Sequence, residues 1–325
     1  MQYQLDRKLA IAPMMDRTDR HYRYFMRLIS RRVLLYTEML TPGAILHGDR
    51  ERLLGHSDRE HPLALQLGGS DPAQLAACAR IAADRGYDEV NLNIGCPSDR
   101  VQSARFGACL MAEPALVAEC VARMRSAVSI PVTVKTRTGI DQRDSYGELV
   151  EFVRTVSAAG CDTFIIHARK AWLNGLSPKE NRDVPPLQYE TVYRLKQAFP
   201  ELQIIINGGF TSMEQIMAQY DRVDGVMIAR VAYHDPYLLA GADTLIFQEP
   251  SAPPTRREIL SGFIAYARRN LEPGVTPRHM ARHIIGLYQG QAGARAFRRL
   301  ISEIVCRSPT GVDILEKAVT GLPVL

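Results

Sequence analysis

With 325 residues, 46% of them hydrophobic and 23% charged, the chain is long enough to bury a large core, and it holds no eighteen-residue apolar run of the kind a transmembrane helix needs. Its start, Met-Gln-Tyr-Gln-Leu-Asp-Arg, lacks an apolar signal core, so a cytoplasmic protein is expected, and six cysteines without any C-x-x-C pair argue against a disulfide framework or a structural metal. The formal charge is +5, but residues 251–325 carry ten Arg and one Lys against five acids, which leaves the first 250 residues at −1; a polyanionic partner and a solubilising helical surface both fit that tail.

Short β-rich runs fall at 9–14, 33–37, 62–67, 89–94, 131–136, 163–168, 203–207 and 225–229. Amphipathic helical stretches lie between them, among them 72–85, 114–127, 146–159 and 212–220. Several open on capping signals, such as Ser70-Asp71 before Pro72 and Thr211-Ser212 with Glu214 following. Cys78, Cys120 and Cys161 sit among Ala and Val and read as small core residues. Alternating strands and helices imply parallel strands joined by crossovers. Eight such units ending near residue 245 predict an α/β fold, a (β/α)8 TIM barrel over 1–247, rather than an open doubly wound sheet. The run Gln248-Glu-Pro-Ser-Ala-Pro-Pro254 reads as a linker over 248–254. Helical periodicity resumes at 256–270, 277–289 and 292–306, which predicts a small C-terminal all-helical domain over 255–325.

The C-terminal ends of the strands carry the chemistry, where barrels of this kind place their sites. In order they offer Pro13-Met14-Met15, Glu38, Gln66, Asn91 and Asn93, Lys135 and Arg137, His167 and Arg169, Asn207-Gly208-Gly209, and Ala229-Arg230. One polar ending would be ordinary; a succession of them lines a cavity. Gly208-Gly209 lets the backbone approach an anion, and Arg230 is a bidentate donor, so a phosphate-bearing cofactor is expected there. No G-x-G-x-x-G occurs, so a nicotinamide site of the dinucleotide-fold type is not supported. Lys135 suits the negative charge at the pyrimidine edge of a reduced flavin, and Gln66 and Asn93 suit polar ring atoms. A lysine paired with Glu38 or Asp16, and a hydrogen-bonded core histidine at His167, are the plainer alternatives. A Gly-Cys96-Pro turn follows strand four, and Cys109 lies on the next loop between small residues. His279 and His283, four apart, lack an evident third ligand, so no metal is expected and both read as surface or RNA-contact residues.

Taken together, Ala12-Pro13-Met14, Gln66-Leu-Gly-Gly, Asn91-Leu-Asn-Ile-Gly-Cys-Pro-Ser, Gly107-Ala-Cys-Leu, Val134-Lys135-Thr-Arg, Ile166-His167-Ala-Arg169, Asn207-Gly-Gly and Ala229-Arg230 resemble the tRNA-dihydrouridine synthase family. The runs at 16–25, 35–39 and 176–182 resemble its A-type bacterial subfamily. The resemblance implies FMN held by Pro13, Met14, Met15, Gln66, Lys135, His167, Asn207, Gly208, Gly209, Ala229 and Arg230, with NADPH as reductant. It implies reduction of the C5=C6 bond of D-loop uridines at positions 20 and 20a, with Cys109 as general acid and Cys96 shaping its turn. It also implies that tRNA is touched by Asn93, Arg137, Arg169, the pair Lys179 and Arg182, and the pair Arg295 and Arg298. One departure stands out: Ala229 replaces the glycine the family usually has before the strand-eight arginine, although its N–H survives.

Two other functions remain compatible with the pattern at this point. A dihydroorotate-dehydrogenase-like barrel would keep the flavin and act on a free pyrimidine, but would have no use for the basic tail. A non-catalytic RNA-binding protein would keep the tail but would have no use for Cys109, Lys135 and His167. The pattern gives no oligomeric state.

Overall fold

The computed structural model describes residues 5–271 and 277–302. Eight parallel strands run in chain order: β1 Leu9–Ile11, β2 Leu35–Leu40, β3 Leu63–Leu67, β4 Glu89–Ile94, β5 Val132–Arg137, β6 Thr163–His167, β7 Gln203–Asn207 and β8 Gly225–Ile228. Each pairs with its sequence neighbour from β2 to β8, and β8 pairs with β1. The circle closes at the bridge Ala10–Leu34, where Ile11 N donates to Leu34 O (2.9 Å) and Leu34 N donates to Leu9 O (3.0 Å). The predicted barrel is the observed fold, and β4 and β7 have the predicted limits.

Strand chemistry explains this closure. β5 reads Val-Thr-Val-Lys-Thr-Arg, and alternation puts Thr133, Lys135 and Arg137 on one face with Val132 and Val134 on the other. Both valines are fully buried, as they must be in parallel strands covered by helices. The helices supply matching stripes. Of α1 (Arg20–Ile29), α2 (Pro72–Asp84), α3 (Pro114–Ala127), α4 (Tyr146–Ala158), α5 (Tyr189–Ala198) and α6 (Met213–Met217), α2 to α5 bury residues at three- and four-residue spacing, α1 buries most of its length and α6 buries Ile216. Leu75, Cys78, Ala79 and Ala82 form that stripe in α2, and Val117, Cys120, Val121 and Met124 in α3. Burying each Leu or Val of these stripes contributes roughly 1.5–3 kcal/mol. Cys78, Cys120 and Cys161 are therefore core residues, as read from the sequence.

The caps behave as their residue types require. The Asp71 carboxylate accepts from Ala73 N and Gln74 N (both 2.9 Å), and Ser145 with Glu148 closes a full capping box at the start of α4. α6 spans only five residues, shorter than its sequence pattern suggested.

The chain divides into two compact units. The first comprises residues 1–14, 34–56 and 61–228, and contains all eight strands. The second comprises residues 15–33, 57–60 and 229–325. This division differs from a single cut at 248–254, because α1, the crossover after β1, belongs to the second unit. Within that unit α1 meets α7 (Arg256–Arg269): Tyr24 stacks on Tyr266 with centroids 3.9 Å apart, and Phe25 meets Phe263 edge-on at 5.5 Å. His283 is fully buried, its Nε2 3.0 Å from the Asp19 carboxylate, so it is not the surface residue its spacing from His279 suggested. The last described helix is α8, Ala294–Leu300; residues 303–306 of the predicted helix, with Cys306, lie outside the described residues.

Candidate active site

A row of the first unit's polar groups gathers at the C-terminal ends of β3 to β7. Register sets them side by side: Gln66 opposite Asn91, Asn93 opposite Lys135, Arg137 opposite His167, and His167 opposite Asn207. The Asn93 Oδ1 accepts from Gly95 N (3.0 Å) and Cys96 N (2.9 Å), which folds the chain into the Gly-Cys-Pro turn. Its Nδ2 donates to Gln66 Oε1 at 2.9 Å, and Gln66 Nε2 donates to Asn91 Oδ1 at 2.8 Å. One N–H of Gln66 and one of Asn93 then have no acceptor among the described residues.

Lys135 forms no ion pair or hydrogen bond among the described residues, with Glu38, Asp16 or any other group. Burial, and then the neighbouring Arg137 charge, pushes its ammonium down to about 7 from an ordinary 10.5. His167 makes no ring hydrogen bond to the described residues, so it is not a satisfied core histidine. Burial, reinforced by Arg137 and Lys135, holds its imidazole neutral well below the ordinary range. The sign of the Lys135 shift gives a test. The unfolded chain binds a proton here up to pH about 10.5, whereas the folded chain releases it near 7. The destabilisation is complete below pH 7 and is relieved as pH rises toward 10.5. Denaturant unfolding of flavin-free protein should show that rise, and Lys135→Met should flatten it; an unchanged profile in the variant would refute the shift.

Gly208 and Gly209 complete the site. Both have positive φ (+121° and +82°), and a Cβ on Gly208 would lie 2.8 Å from His167 Cδ2, so no larger residue fits that turn. Tyr189 Oη, which the sequence reading missed, donates to Gly208 O at 2.7 Å and pins the turn. The N–H groups of both glycines have no acceptor among the described residues. An unpaired ammonium, a neutral imidazole and a row of unmatched N–H donors suit an anionic, carbonyl-bearing group, and the expected flavin phosphate and pyrimidine edge have that chemistry. Pro13 and Met14 follow β1 and are half-buried, while Met15 is exposed. Ala229 has φ −130°, so the backbone does not demand glycine there, and Arg230 follows it directly.

Two cysteines stand at the Asn93 turn and the loop beyond it. Gly107 (φ +77°) lets that loop close on the turn, because a Cβ there would lie 2.6 Å from Cys96 O; Ala108 N donates to the same oxygen at 2.9 Å. Cys109 Sγ donates to Phe106 O at 3.2 Å, and burial together with the Glu113 charge pushes its thiol up. Cys96 instead lies on the turn held by Asn93 and Arg137, beside Lys135. The sequence pattern singles out Cys109, and the charge distribution singles out Cys96.

Arg137 is buried, and its donors go to main-chain oxygens: Nε to Gly95 O (2.9 Å), and Nη1 to Lys170 O (3.1 Å) and Asn181 O (2.9 Å). It ties the Cys96 turn to the loop after β6. That loop hangs on Asn181, a residue that sequence reasoning did not select. The Asn181 Oδ1 accepts from Trp172 N (2.8 Å), and its Nδ2 donates to Trp172 O (2.9 Å) and Leu176 O (3.1 Å). Lys179 and Arg182 stand exposed on either side of it, and Arg169 Nη1 donates to Pro185 O. In the second unit, Arg295 and Arg298 lie on α8. Arg295 is exposed and Arg298 Nη1 donates to Gln289 Oε1 at 2.8 Å. No group of His, Cys, Asp or Glu among the described residues is arranged to hold a metal, and no described helix is long and apolar enough to cross a membrane.

Comparison with known proteins gives a consistent result. Residues 10–320 match the family model described as dihydrouridine synthase (Dus). The chain is 57% identical over 314 residues to the tRNA-dihydrouridine(20/20a) synthase of Shewanella oneidensis, covering 97% of this chain and 93% of that one. It is 56% identical over 310 residues to the protein of the same name from Synechocystis (95% and 93% covered), and 54% identical over 317 residues to that of Vibrio cholerae (97% of each). Among solved structures, a complex of 2-naphthoyl-CoA reductase superposes with a TM-score of 0.56 over 72% of this chain and 49% of that one, at 13% identity, a likeness of fold alone.

Proposed function

The chain belongs to the dihydrouridine synthase family, and on that premise we propose that it reduces the C5=C6 bond of uridines 20 and 20a in the tRNA D-loop, with FMN as its cofactor and NADPH as reductant. The observation that carries this reading is the mouth of the barrel, where Lys135, His167, Gln66, Asn93 and the Gly208-Gly209 turn present unmatched donors together. When bound, FMN supplies the hydride delivered to C6 of the base.

The chain's own residues do the rest. Gly208 and Gly209 offer their N–H groups to the phosphate, with Asn207, Ala229 and Arg230 at the same strand ends and Pro13, Met14 and Met15 beyond β1. Lys135 takes a proton when an anion enters and offsets its charge, and His167 stays neutral and donates one N–H. Asn93 and Gln66 donate to ring carbonyls. A base must leave its stack to enter such a mouth, where it is read by its edge.

The proton for C5 comes from a thiol. The acid becomes a thiolate, so its surroundings must tolerate that charge. The Cys96 turn sits against the Lys135 and Arg137 cations, whereas burial and Glu113 disfavour a thiolate at Cys109. We therefore assign proton delivery to Cys96, and to Cys109 the packing of the loop that holds the Cys96 turn. Arg137 acts by joining that turn to the 170–185 loop, from which Arg169, Lys179 and Arg182 reach the RNA. Residues 255–325, with Arg295 and Arg298, bind tRNA phosphates. NADPH would use the same mouth and leave before tRNA enters, since the described residues form no dinucleotide fold.

The test is reconstitution with FMN, NADPH and an unmodified tRNA transcript, followed by mapping of dihydrouridine. Dihydrouridine at 20 and 20a is the expected result. Turnover of free uridine or orotate at a comparable rate would favour the small-molecule reading instead.

A further inference from the structure

A continuous hydrogen-bonded chain runs through the barrel interior from its base to the Cys96 turn. At the base the Glu89 carboxylate is fully buried and accepts from Arg7 Nε (2.6 Å), Tyr36 Oη (2.6 Å) and Thr133 Oγ1 (2.7 Å). The Thr133 hydroxyl in turn accepts from Asn91 Nδ2 at 2.9 Å. From there the links already described run from Asn91 Oδ1 to Gln66, from Gln66 Oε1 to Asn93, and from Asn93 Oδ1 to the N–H groups of Gly95 and Cys96.

Every link points the same way. A carboxylate can only accept, so it fixes the orientation at the bottom; backbone N–H groups can only donate, so they fix it at the top. The three amides between cannot turn over without setting oxygen against oxygen or nitrogen against nitrogen. Thr133 is the one hydroxyl in the line, and it must both donate and accept.

We propose that Thr133 and Glu89 are positioning residues for the reaction. Through this chain they hold the Gln66 and Asn93 amides with N–H, not C=O, turned to the mouth, and they hold the Cys96 turn in place. The proposal rests on the flavin reading above for what the mouth binds. It also assigns specificity: the β3–β4 wall accepts ligand carbonyls and rejects ligand N–H groups.

Thr133→Val keeps the shape of the side chain and breaks the relay, whereas Thr133→Ser keeps the relay. Tyr36→Phe removes a donor to Glu89 but leaves the line from Thr133 to Cys96 intact. Two quantities are read on folded protein, as judged by thermal melting: FMN affinity of the flavin-free protein, and the alkylation rate of Cys96 measured by peptide mass. Thr133→Val should weaken FMN binding about tenfold, the scale of a buried polar group left unmatched. It should also speed alkylation of Cys96 several-fold, because the turn loosens. Thr133→Ser should restore both. Tyr36→Phe should lower the melting temperature and change neither. If Thr133→Val does not fold, Thr133→Ala takes its place with the same expected result. Wild-type values for both quantities in the relay-breaking variant would overturn the proposal, as would a Tyr36→Phe effect equal to that of Thr133→Val. Failure of the wild-type protein to bind FMN would count against the flavin reading alone; the alkylation rates would still decide the proposal.

Discussion

Cys96→Ala abolishes dihydrouridine formation while NADPH still reduces the bound flavin. General-acid catalysis is worth about 10²–10⁴-fold, so transfer to tRNA should fall by that factor. The half-reaction with NADPH needs no protein acid at C5 of a base and should stay near the wild-type rate. The matched Cys109→Ala variant should lose far less, because its thiol hydrogen-bonds its own turn at Phe106 O, and burial with Glu113 opposes its ionisation. Rapid-mixing kinetics on the two half-reactions separates the cases. Loss of tRNA reduction in Cys109→Ala with full activity in Cys96→Ala would return the acid to Cys109, the residue that the sequence pattern favoured.

Replacing both Arg295 and Arg298 by Ala weakens tRNA binding and flattens its dependence on salt. Each phosphate neutralised by a cation releases condensed counterions, so the loss of two contacts should lower the slope of log K against log salt by about 1.4–1.8. Arg295 is exposed on α8 and Arg298 Nη1 is held by Gln289 Oε1 at 2.8 Å, so the second arginine is already oriented in the free protein. Filter binding across a salt series, with NADPH oxidation as the control, reads the effect. Unchanged affinity and slope would mean that these charges only solvate the helix. Point variants are the right tool, because the second unit also includes residues 15–33 and 57–60 and cannot be removed by trimming the C-terminus.

The barrel was legible because its code is local. Runs such as Ile204-Ile205-Ile206 state a buried parallel strand, and Asp71-Pro72 states a helix start. The strand-end residues were legible for the same reason: alternation alone places Asn93, Lys135 and His167 at the mouth. Connections between distant residues were not legible. Arg7 pairs with Glu89 across 82 positions, and Arg137 reads the carbonyl of Asn181 across 44. Asn181 lies inside the quoted run at 176–182, yet nothing in that run says its amide is the peg on which the loop hangs. The choice between Cys96 and Cys109 likewise depends on which charges surround each sulfur, and spacing does not encode that. His283 misled because spacing of four mimics a ligand pair, whereas the Asp19 carboxylate that claims it lies 264 positions away.

The makeup of the second unit constrains how the protein is made. α1 leaves the ribosome within the first thirty residues, but Phe263 and Tyr266, which cover its Phe25 and Tyr24, emerge more than two hundred residues later. Until then α1 meets the early 57–60 segment of its own unit: the Arg23 guanidinium grips Glu60 at 2.7 Å and Arg27 Nη2 donates to Glu60 O at 3.0 Å as soon as that segment appears. Domains generally form as synthesis proceeds, yet here one must wait for the chain's last quarter while its first helix keeps aromatic surface open. A nascent chain halted before residue 256 should therefore recruit a chaperone through α1, and one that has released both α1 and α7 should not.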